Sequence, residues 1–128
     1  NWPYYSHSRL MRSMIIHHPR LFRRDAWELV GGFNENLVNA VDYDFFLRLA
    51  EIGDMRHINE KLYSYRIHES STSQDKYEIQ TRNTYLVQRY ALKRLGLENY
   101  VNYAPNPKFP RRVHYITKAF RENTNIPK

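Results

Sequence analysis

The sequence has 128 residues, of which 41% are hydrophobic and 15% aromatic, a composition that predicts one folded domain and excludes a disordered chain. It lacks cysteine, which excludes disulfides, thiol catalysis and thiolate zinc sites, and it has no apolar run of the roughly 18 residues that a membrane span needs. The net charge of +7 fits binding to nucleic acid, anionic lipid, or an anionic sugar or nucleotide, and does not choose among them.

The first third of the chain predicts short elements separated by breaks. Residues 1–13 favour a loop or a short helix, and the β-prone residues 14–18 stop at a proline that restricts them to a sheet edge. Asp25 followed by Glu28 resembles a capping box and predicts a helix start. Gly31 suits a left-handed helix stop, so this helix is expected to be very short.

Two longer helices are predicted from the spacing of apolar residues. Residues 42–52 show helical periodicity and are followed by Gly53. Residues 76–95 form a second amphipathic run, which Gly96 ends. The predicted apolar face of the first helix contains Phe45, Phe46, Leu49 and Ala50, and that of the second contains Ile79, Leu86, Val87, Tyr90 and Ala91.

Two short strands are predicted between these helices, at residues 55–58 and 62–67. Three prolines interrupt the pattern near the end of the chain, so we divide the sequence into one domain, residues 1–98, and a linker with a C-terminal helical tail, residues 99–128. Because the sequence starts at Asn1 without a methionine, we expect it to be part of a longer protein.

Asp42 is the main catalytic candidate, because a carboxylate at a loop-to-helix junction can take a proton from an attacking hydroxyl. The same position fits a helix N-cap, and the residues alone leave both roles open. Asp44 lies in the first turn of the predicted helix, where its charge meets the helix dipole favourably. It is a candidate for substrate contact or for a structural role.

Two histidines are site candidates, His68 for binding a metal or diphosphate and His18 for binding substrate. His68 follows the second predicted strand, where a lone histidine is either a ligand or an ordinary surface residue. Its partners as a ligand would be carboxylate and diphosphate oxygens around Mn²⁺ or Mg²⁺. His18 belongs to an adjacent pair whose side chains point to opposite faces of a strand, so one of the two can face a site.

Four further residues are candidates for substrate binding. Gly31 and Gly32 provide either a helix stop or a close approach of backbone to a ligand. Trp27 offers an aromatic face for a sugar ring, although core packing is the commoner role. Arg66 can pair with phosphate, although ion pairs at the surface are commoner for such residues.

Four runs, taken together and in order, resemble the family 2 glycosyltransferases of the GT-A fold. They are residues 17–22 (His-His-Pro-Arg-Leu-Phe), 26–29 (Ala-Trp-Glu-Leu), 32–36 (Gly-Phe-Asn-Glu-Asn) and 39–49 (Asn-Ala-Val-Asp-Tyr-Asp-Phe-Phe-Leu-Arg-Leu). The most similar group is the bacterial chondroitin polymerases and hyaluronan synthases with two transferase modules. The resemblance covers residues 8–75, over half of the chain.

The resemblance implies an α/β fold, namely the C-terminal, acceptor-side half of a GT-A nucleotide-diphospho-sugar transferase domain, which would be mixed α+β when isolated. Asp42 matches the catalytic base of the family, although Val41 replaces the acidic residue that usually precedes it. His68 matches a histidine that helps to bind the metal and diphosphate, which implies Mn²⁺ or Mg²⁺ as the cofactor. The family's Asp-x-Asp metal and nucleotide motif belongs to an N-terminal half that this sequence lacks.

The predicted function is the inverting transfer of a sugar from a UDP-sugar to a growing capsule or glycosaminoglycan-like polysaccharide. The Gln-x-x-Arg-Trp signature of processive membrane synthases is absent, so we expect a cytoplasmic enzyme, either free or peripheral to the inner face of the membrane. The missing N-terminal half of the domain is an expected partner, and nucleic acid is not. The alternatives are a basic binding module for nucleic acid or anionic polysaccharide, and a structural docking domain.

Overall fold

The structure, a computed structural model, describes residues 5–64, 66 and 77–99. Its regular elements over these residues are four helices. In chain order they are α1 (His7–Arg12), α2 (Arg24–Leu29), α3 (Val41–Ile52) and α4 (Tyr77–Arg94). No helix within this part of the chain is long and apolar enough to cross a membrane. Of the two alternatives for residues 1–13, the short helix forms, and the predictions of a very short helix before Gly31, of a long helix from residue 42 and of another from residue 76 are confirmed to within a few residues. The predicted linker and C-terminal helical tail lie, from residue 100 onward, outside the described residues.

The predicted strands do not form in the described part of the chain. Residues 55–58 are irregular, as are residues 62–64 and 66, while the other two positions of the second predicted strand lie outside the described residues. Residues 14–17 are also irregular, and a cis peptide bond joins His18 to Pro19. A strand needs a neighbour that takes up its backbone hydrogen bonds, and no such neighbour occurs among these residues. The α/β fold is therefore not confirmed.

Helix α2 begins differently from the prediction. Its N-cap is Arg23, whose side chain makes no capping hydrogen bond. Asp25 lies inside the first turn and accepts a hydrogen bond from the Ala26 N–H at 2.8 Å. Glu28 pairs with Arg24 at 2.9 Å instead of reaching back to the N-cap. The predicted capping box is therefore wrong, and an exposed ion pair between residues four apart takes its place.

Helix α3 lies at the centre of the fold and contacts the other three helices. All four residues of its predicted apolar face are buried, and Gly53 follows its last turn as predicted. One side of α3 packs against α1 and α4 in a core formed by Leu10, Ala40, Tyr43, Leu47, Ala50, Val87 and Ala91. The helix therefore fixes the position of the loops at its N-terminal end.

The buried face of α4 is rotated relative to the prediction. It consists of Thr84, Val87, Gln88, Ala91 and Leu92, whereas Ile79 and Tyr90 are about half exposed. Gln88 donates a hydrogen bond to the Tyr43 hydroxyl at 3.0 Å, and that hydroxyl donates to the carbonyl of Leu10 at 2.5 Å. Burial raises the pKa of Tyr43 well above its ordinary value, so the phenol stays a protonated donor. This chain of hydrogen bonds connects α1, α3 and α4.

The other side of α3 presents an aromatic cluster to the loops around α2. Phe45, Phe46 and Leu49 form its buried centre. Phe22 and Phe33 cover it from the two flanks of α2, with ring centroids 4.9 Å and 4.6 Å from that of Phe45. Tilted and edge-to-face contacts of this kind stabilise aromatic pairs. The loop that follows α2 is thus held on α3 by Phe33.

Candidate active site

The glycine turn after α2 is a helix stop, as predicted. The Gly31 N–H donates to the carbonyl of Glu28 at 3.1 Å, and the Gly32 N–H donates to the carbonyl of Trp27 at 2.9 Å. Both glycines have positive φ, at 78° and 69°. These two bonds together define a Schellman motif, which satisfies carbonyl groups that the helix end would leave unpaired.

Gly32 also has a packing role, because the indole of Trp27 lies directly over it. A β-carbon at residue 32 would lie 2.7 Å from Trp27 Cζ2, whereas one at Gly31 would meet nothing within 4 Å. The close approach predicted for these glycines is therefore made by a side chain of the same protein. Trp27 keeps part of its ring exposed, so an aromatic surface remains beside the turn.

We expect Gly32→Ala to destabilise the chain more than Gly31→Ala. Both changes place a β-carbon at positive φ, which costs roughly 1–2 kcal/mol, but only the change at Gly32 also forces the indole to move, at a further cost of about 1–3 kcal/mol. Urea unfolding of the two variants, followed by circular dichroism, measures the difference. Equal losses of unfolding free energy in the two variants would show that the contact between Gly32 and the Trp27 indole does not affect stability.

Asp44 and Arg48 attach the glycine turn to α3. The Asp44 carboxylate accepts from Arg48 Nε and Nη2 at 3.0 Å and 2.8 Å. Arg48 also donates from Nη1 to the carbonyl of Val30 and from Nη2 to that of Gly32, the latter at 2.8 Å. Because the Asp44 side chain is only 3% exposed, the structure supports its structural role in holding Arg48. Its predicted substrate contact stays a prediction.

Asp42 lies at the edge of an open cleft of about 430 Å³ at the N-terminal end of α3. The cleft is lined by Phe33, Asn39, Ala40, Val41, Asp42 and Gln80. The N-cap of α3 is Ala40, so the capping alternative for Asp42 is wrong. The chain enters the helix through two consecutive residues with positive φ, Asn39 at 63° and Ala40 at 57°. Such a conformation costs roughly 1–2 kcal/mol for alanine, and residues of this kind are concentrated at functional sites.

The Asp42 carboxylate is held on both oxygens yet remains accessible. Its Oδ1 accepts from the Tyr43 N–H at 2.9 Å, and its Oδ2 accepts from Arg20 Nη1 at 2.7 Å. Arg20 is itself fixed, because its Nε donates to the carbonyl of Ile16 at 3.1 Å and its guanidinium lies 5.3 Å from the centroid of the Phe46 ring. The Asp42 side chain is 44% exposed. Since a carboxylate oxygen has two lone pairs, each oxygen can accept one more hydrogen bond.

Two amide side chains in the wall of this cleft have atoms without partners. Asn39 Nδ2 and Gln80 Oε1 are shielded from solvent and make no hydrogen bond within the described part of the chain. Leaving a buried donor or acceptor unpaired costs about 1–3 kcal/mol. A polar ligand that satisfied these groups through a small rotation of either side chain would remove that cost.

Sequence reasoning missed three residues of this site, namely Asn39 and Gln80 in the wall of the cleft and Arg20, the ion-pair partner of Asp42. Arg20 belongs to the first run that carried the family resemblance, but 22 residues separate it from Asp42. Asn39 is the first residue of the fourth run, and its positive φ has no reliable signature beyond the residue type. Gln80 sits on the polar start of α4, where no periodicity marks it.

The remaining predicted site residues lie elsewhere or outside the described part. His18 is exposed, and its ring centroid lies 5.5 Å from that of Tyr63. Arg66 is exposed. Among the described residues, no hydrogen bond or ion pair connects either of them to Asp42. His68 lies outside the described residues, so its predicted role as a metal ligand stays a prediction.

The described residues do not by themselves assemble a metal site. No group of three or more histidine, cysteine, aspartate or glutamate side chains within them could hold a metal ion. The two carboxylates at the start of α3 are each paired with an arginine, Asp42 with Arg20 and Asp44 with Arg48. A hard cation such as Mn²⁺ or Mg²⁺ takes about six oxygen ligands, and the accessible oxygens of Asp42 alone do not complete such a set.

The chain is similar to segments of three bacterial proteins. It is 46% identical over 105 residues, 82% of its length, to a chondroitin synthase of Escherichia coli. Over its whole length it is 40% identical to a hyaluronan synthase of Pasteurella multocida and 38% identical to a chondroitin synthase of Pasteurella multocida strain Pm70. No family model matches the chain.

These similarities confirm the resemblance that the sequence runs predicted. The aligned part corresponds to only 15%, 13% and 14% of the length of these relatives, respectively. The chain thus spans about one seventh of the length of each relative.

Proposed function

We propose that this chain, a segment of the chondroitin- and hyaluronan-synthase-like glycosyltransferases, forms the acceptor side of a GT-A catalytic domain. The domain would transfer a sugar, with inversion, from a UDP-sugar to a growing glycosaminoglycan-like polysaccharide. The observation that carries the proposal is the Asp42 carboxylate, which is exposed at a cleft and paired with Arg20. Two atoms in the wall of the same cleft, Asn39 Nδ2 and Gln80 Oε1, have no hydrogen-bond partner within the described part of the chain.

Asp42 acts in this proposal as the general base. The hydroxyl at the end of the acceptor glycan donates a hydrogen bond to a free lone pair of the carboxylate. As the hydroxyl oxygen forms a bond with the anomeric carbon of the donor, its proton moves to Asp42, and the bond from that carbon to the nucleoside diphosphate breaks. Displacement from the opposite face inverts the anomeric centre. Proton transfer of this kind contributes about 10²–10⁴-fold to a rate.

Arg20 acts as a positioning residue. It holds Oδ2 at 2.7 Å, while the Tyr43 N–H holds Oδ1 at 2.9 Å, so the plane of the carboxylate is fixed. A fixed base does not have to reorganise when the substrate arrives, which favours the productive geometry. The amides of Asn39 and Gln80 offer one donor and one acceptor to the hydroxyl groups of the terminal acceptor sugar.

We propose that a divalent cation, Mn²⁺ or Mg²⁺, binds on the donor side, through residues outside the described part of the chain. Such a cation would neutralise the leaving diphosphate. His68 is the one residue of this chain that we assign to it, on the basis of the family resemblance. None of the steps assigned to Asp42 or Arg20 depends on that assignment.

For His68→Ala in the full-length protein we expect a higher Mn²⁺ requirement for UDP binding, partly restored by excess Mn²⁺. Losing one ligand need not abolish a site whose other ligands are carboxylate and phosphate oxygens. Calorimetry of UDP with and without Mn²⁺ measures the effect, and His57→Ala is the control because His57 has no assigned role. If metal-dependent UDP binding were unchanged in His68→Ala, His68 would not be a metal ligand.

We further propose a cytoplasmic location and a peripheral association with the inner face of the membrane. The net charge of +7 favours contact with anionic lipid. The partners in this proposal are the UDP-sugar donor, the glycan acceptor and the N-terminal half of the same domain. The alternative of a basic module that binds nucleic acid is not favoured by the similarity to synthases.

A transfer assay with the full-length protein tests the proposal. Candidate UDP-sugars would be supplied with Mn²⁺ and with chondroitin or hyaluronan oligosaccharides, and the product would be analysed by mass spectrometry and by NMR of the new linkage. We expect addition of a sugar with inverted anomeric configuration. Retention of configuration, or nucleic-acid binding without any transfer, would contradict it.

A further inference from the structure

A second open cleft adjoins the first and shares one wall with it. It has the same volume, about 430 Å³, and lies between the glycine turn, the loop that follows it and α4. Phe33 lines both clefts. Ligand pockets usually measure about 300–1,000 Å³, so each cleft is large enough for a small cyclic unit. A ligand longer than one cleft would have to pass over Phe33.

The walls of the second cleft are held by hydrogen bonds. Arg48 binds the carbonyl of Gly32 at 2.8 Å and so fixes one side. Asn34 closes the next turn, because its Oδ1 accepts from the Asn36 N–H at 3.1 Å. On the α4 side, Arg94 is fixed by a bidentate pair with Glu51, with contacts between 2.7 Å and 2.9 Å. A cleft built in this way requires little ordering when a ligand binds.

The surfaces that this cleft offers to a ligand are aromatic and polar. Phe33 is 47% exposed on one side, and the half-exposed ring of Tyr90 lies in the lining of α4. Between them lie the glycine backbone and the exposed side chains of Glu35 and Asn36. An aromatic ring covers the apolar face of a sugar, while carboxylate and amide groups bind its hydroxyls.

We propose that the second cleft is a saccharide subsite that binds an inner sugar of the acceptor glycan. The terminal sugar lies beside Asp42 in the first cleft, the chain crosses Phe33, and a sugar farther from the reacting end lies between Phe33 and Tyr90. This inference rests on the proposed glycosyl transfer. It adds that this chain recognises the length of the acceptor, through residues that take no part in proton transfer.

The test compares a short and a long acceptor in the full-length protein. The probes are the methyl glycoside of the single terminal sugar, which can fill only the first cleft, and the tetrasaccharide of chondroitin or of hyaluronan, which can reach both. The readout is the ratio of kcat/KM for the long acceptor to that for the short one. In the wild type we expect this ratio to exceed unity. In Phe33→Ala and in Tyr90→Ala we expect it to fall by a factor of about three to ten, which corresponds to losing one aromatic contact.

Phe22→Ala is the matched control. Phe22 is 44% exposed and packs on Phe45 at 4.9 Å, much as Phe33 is 47% exposed and packs at 4.6 Å, but Phe22 lines neither cleft. The control should lose similar packing and keep the wild-type ratio. A wild-type ratio of one, or a ratio that both Phe33→Ala and Tyr90→Ala preserve, would overturn the subsite while leaving glycosyl transfer intact. Absence of transfer to every acceptor would overturn the proposed function together with the subsite.

Discussion

We expect Asp42→Asn to lower the kcat of the full-length protein by about 10²–10⁴-fold. The amide keeps the size of the side chain and keeps one oxygen, which can accept from either the Tyr43 N–H or Arg20, but it cannot take a proton from the acceptor. The fold and the binding of UDP should therefore persist. Initial rates at saturating donor and acceptor measure the loss, and circular dichroism with calorimetry of UDP checks the other two properties.

Asp25→Asn separates this catalytic role from a local structural one. Asp25 stands in the first turn of α2 and accepts the N–H of the next residue at 2.8 Å, just as Asp42 accepts the N–H of Tyr43 at 2.9 Å in the first turn of α3. The local interaction is the same, but Asp25 lies in neither cleft. If both variants retained near wild-type kcat, Asp42 would have only the local role. Excess Mn²⁺ should not restore Asp42→Asn, because its defect is in proton transfer.

The helices were the most predictable part of the fold, because their signals are local. Apolar spacing identified α3 and α4, and Gly31 marked the end of α2. The start of α3 was less predictable, since the chain enters it through Ala40 at positive φ, a conformation that alanine adopts only when the surrounding packing imposes it. Ala40 is in fact part of the main core. At the candidate site, therefore, tertiary packing overrides the ordinary preference of alanine for negative φ.

The layout of the site could be predicted only in part. Asp42 and Asp44 are close in sequence, yet successive helical residues are about 100° apart, so these two carboxylates point to opposite sides of α3. One faces the first cleft with Arg20, and the other is buried against Arg48 beside the second. Which arginine meets which acid depends on contacts across the fold, and sequence spacing does not reveal these. The same holds for Gln88, whose burial is explained by its bond to Tyr43.

Arg48→Met should cost about 3–5 kcal/mol of unfolding free energy, the typical loss when one partner of a buried ion pair is removed. The change leaves the Asp44 carboxylate, whose side chain is 3% exposed, without its cation. It also removes the donors that bind the carbonyls of Val30 and Gly32, so the glycine turn loses its attachment to α3. Because small domains have only about 5–15 kcal/mol of stability, this is a large fraction of the total. Urea unfolding of the chain measures the loss.

Arg24→Met is the matched control for this effect. Arg24 and Glu28 are also an ion pair of residues four apart, at 2.9 Å, but their side chains are 90% and 55% exposed. An exposed pair of this kind contributes about 0.2–0.5 kcal/mol, so the control should remain near wild-type stability.

The double variant Asp44→Leu/Arg48→Met should regain part of the loss, since it removes the buried charge that Arg48→Met leaves unpaired. A double variant no more stable than Arg48→Met would indicate that the cost comes from the two freed carbonyls. If Arg48→Met and Arg24→Met lost equal amounts of unfolding free energy, the buried ion pair would not be what holds the glycine turn on α3.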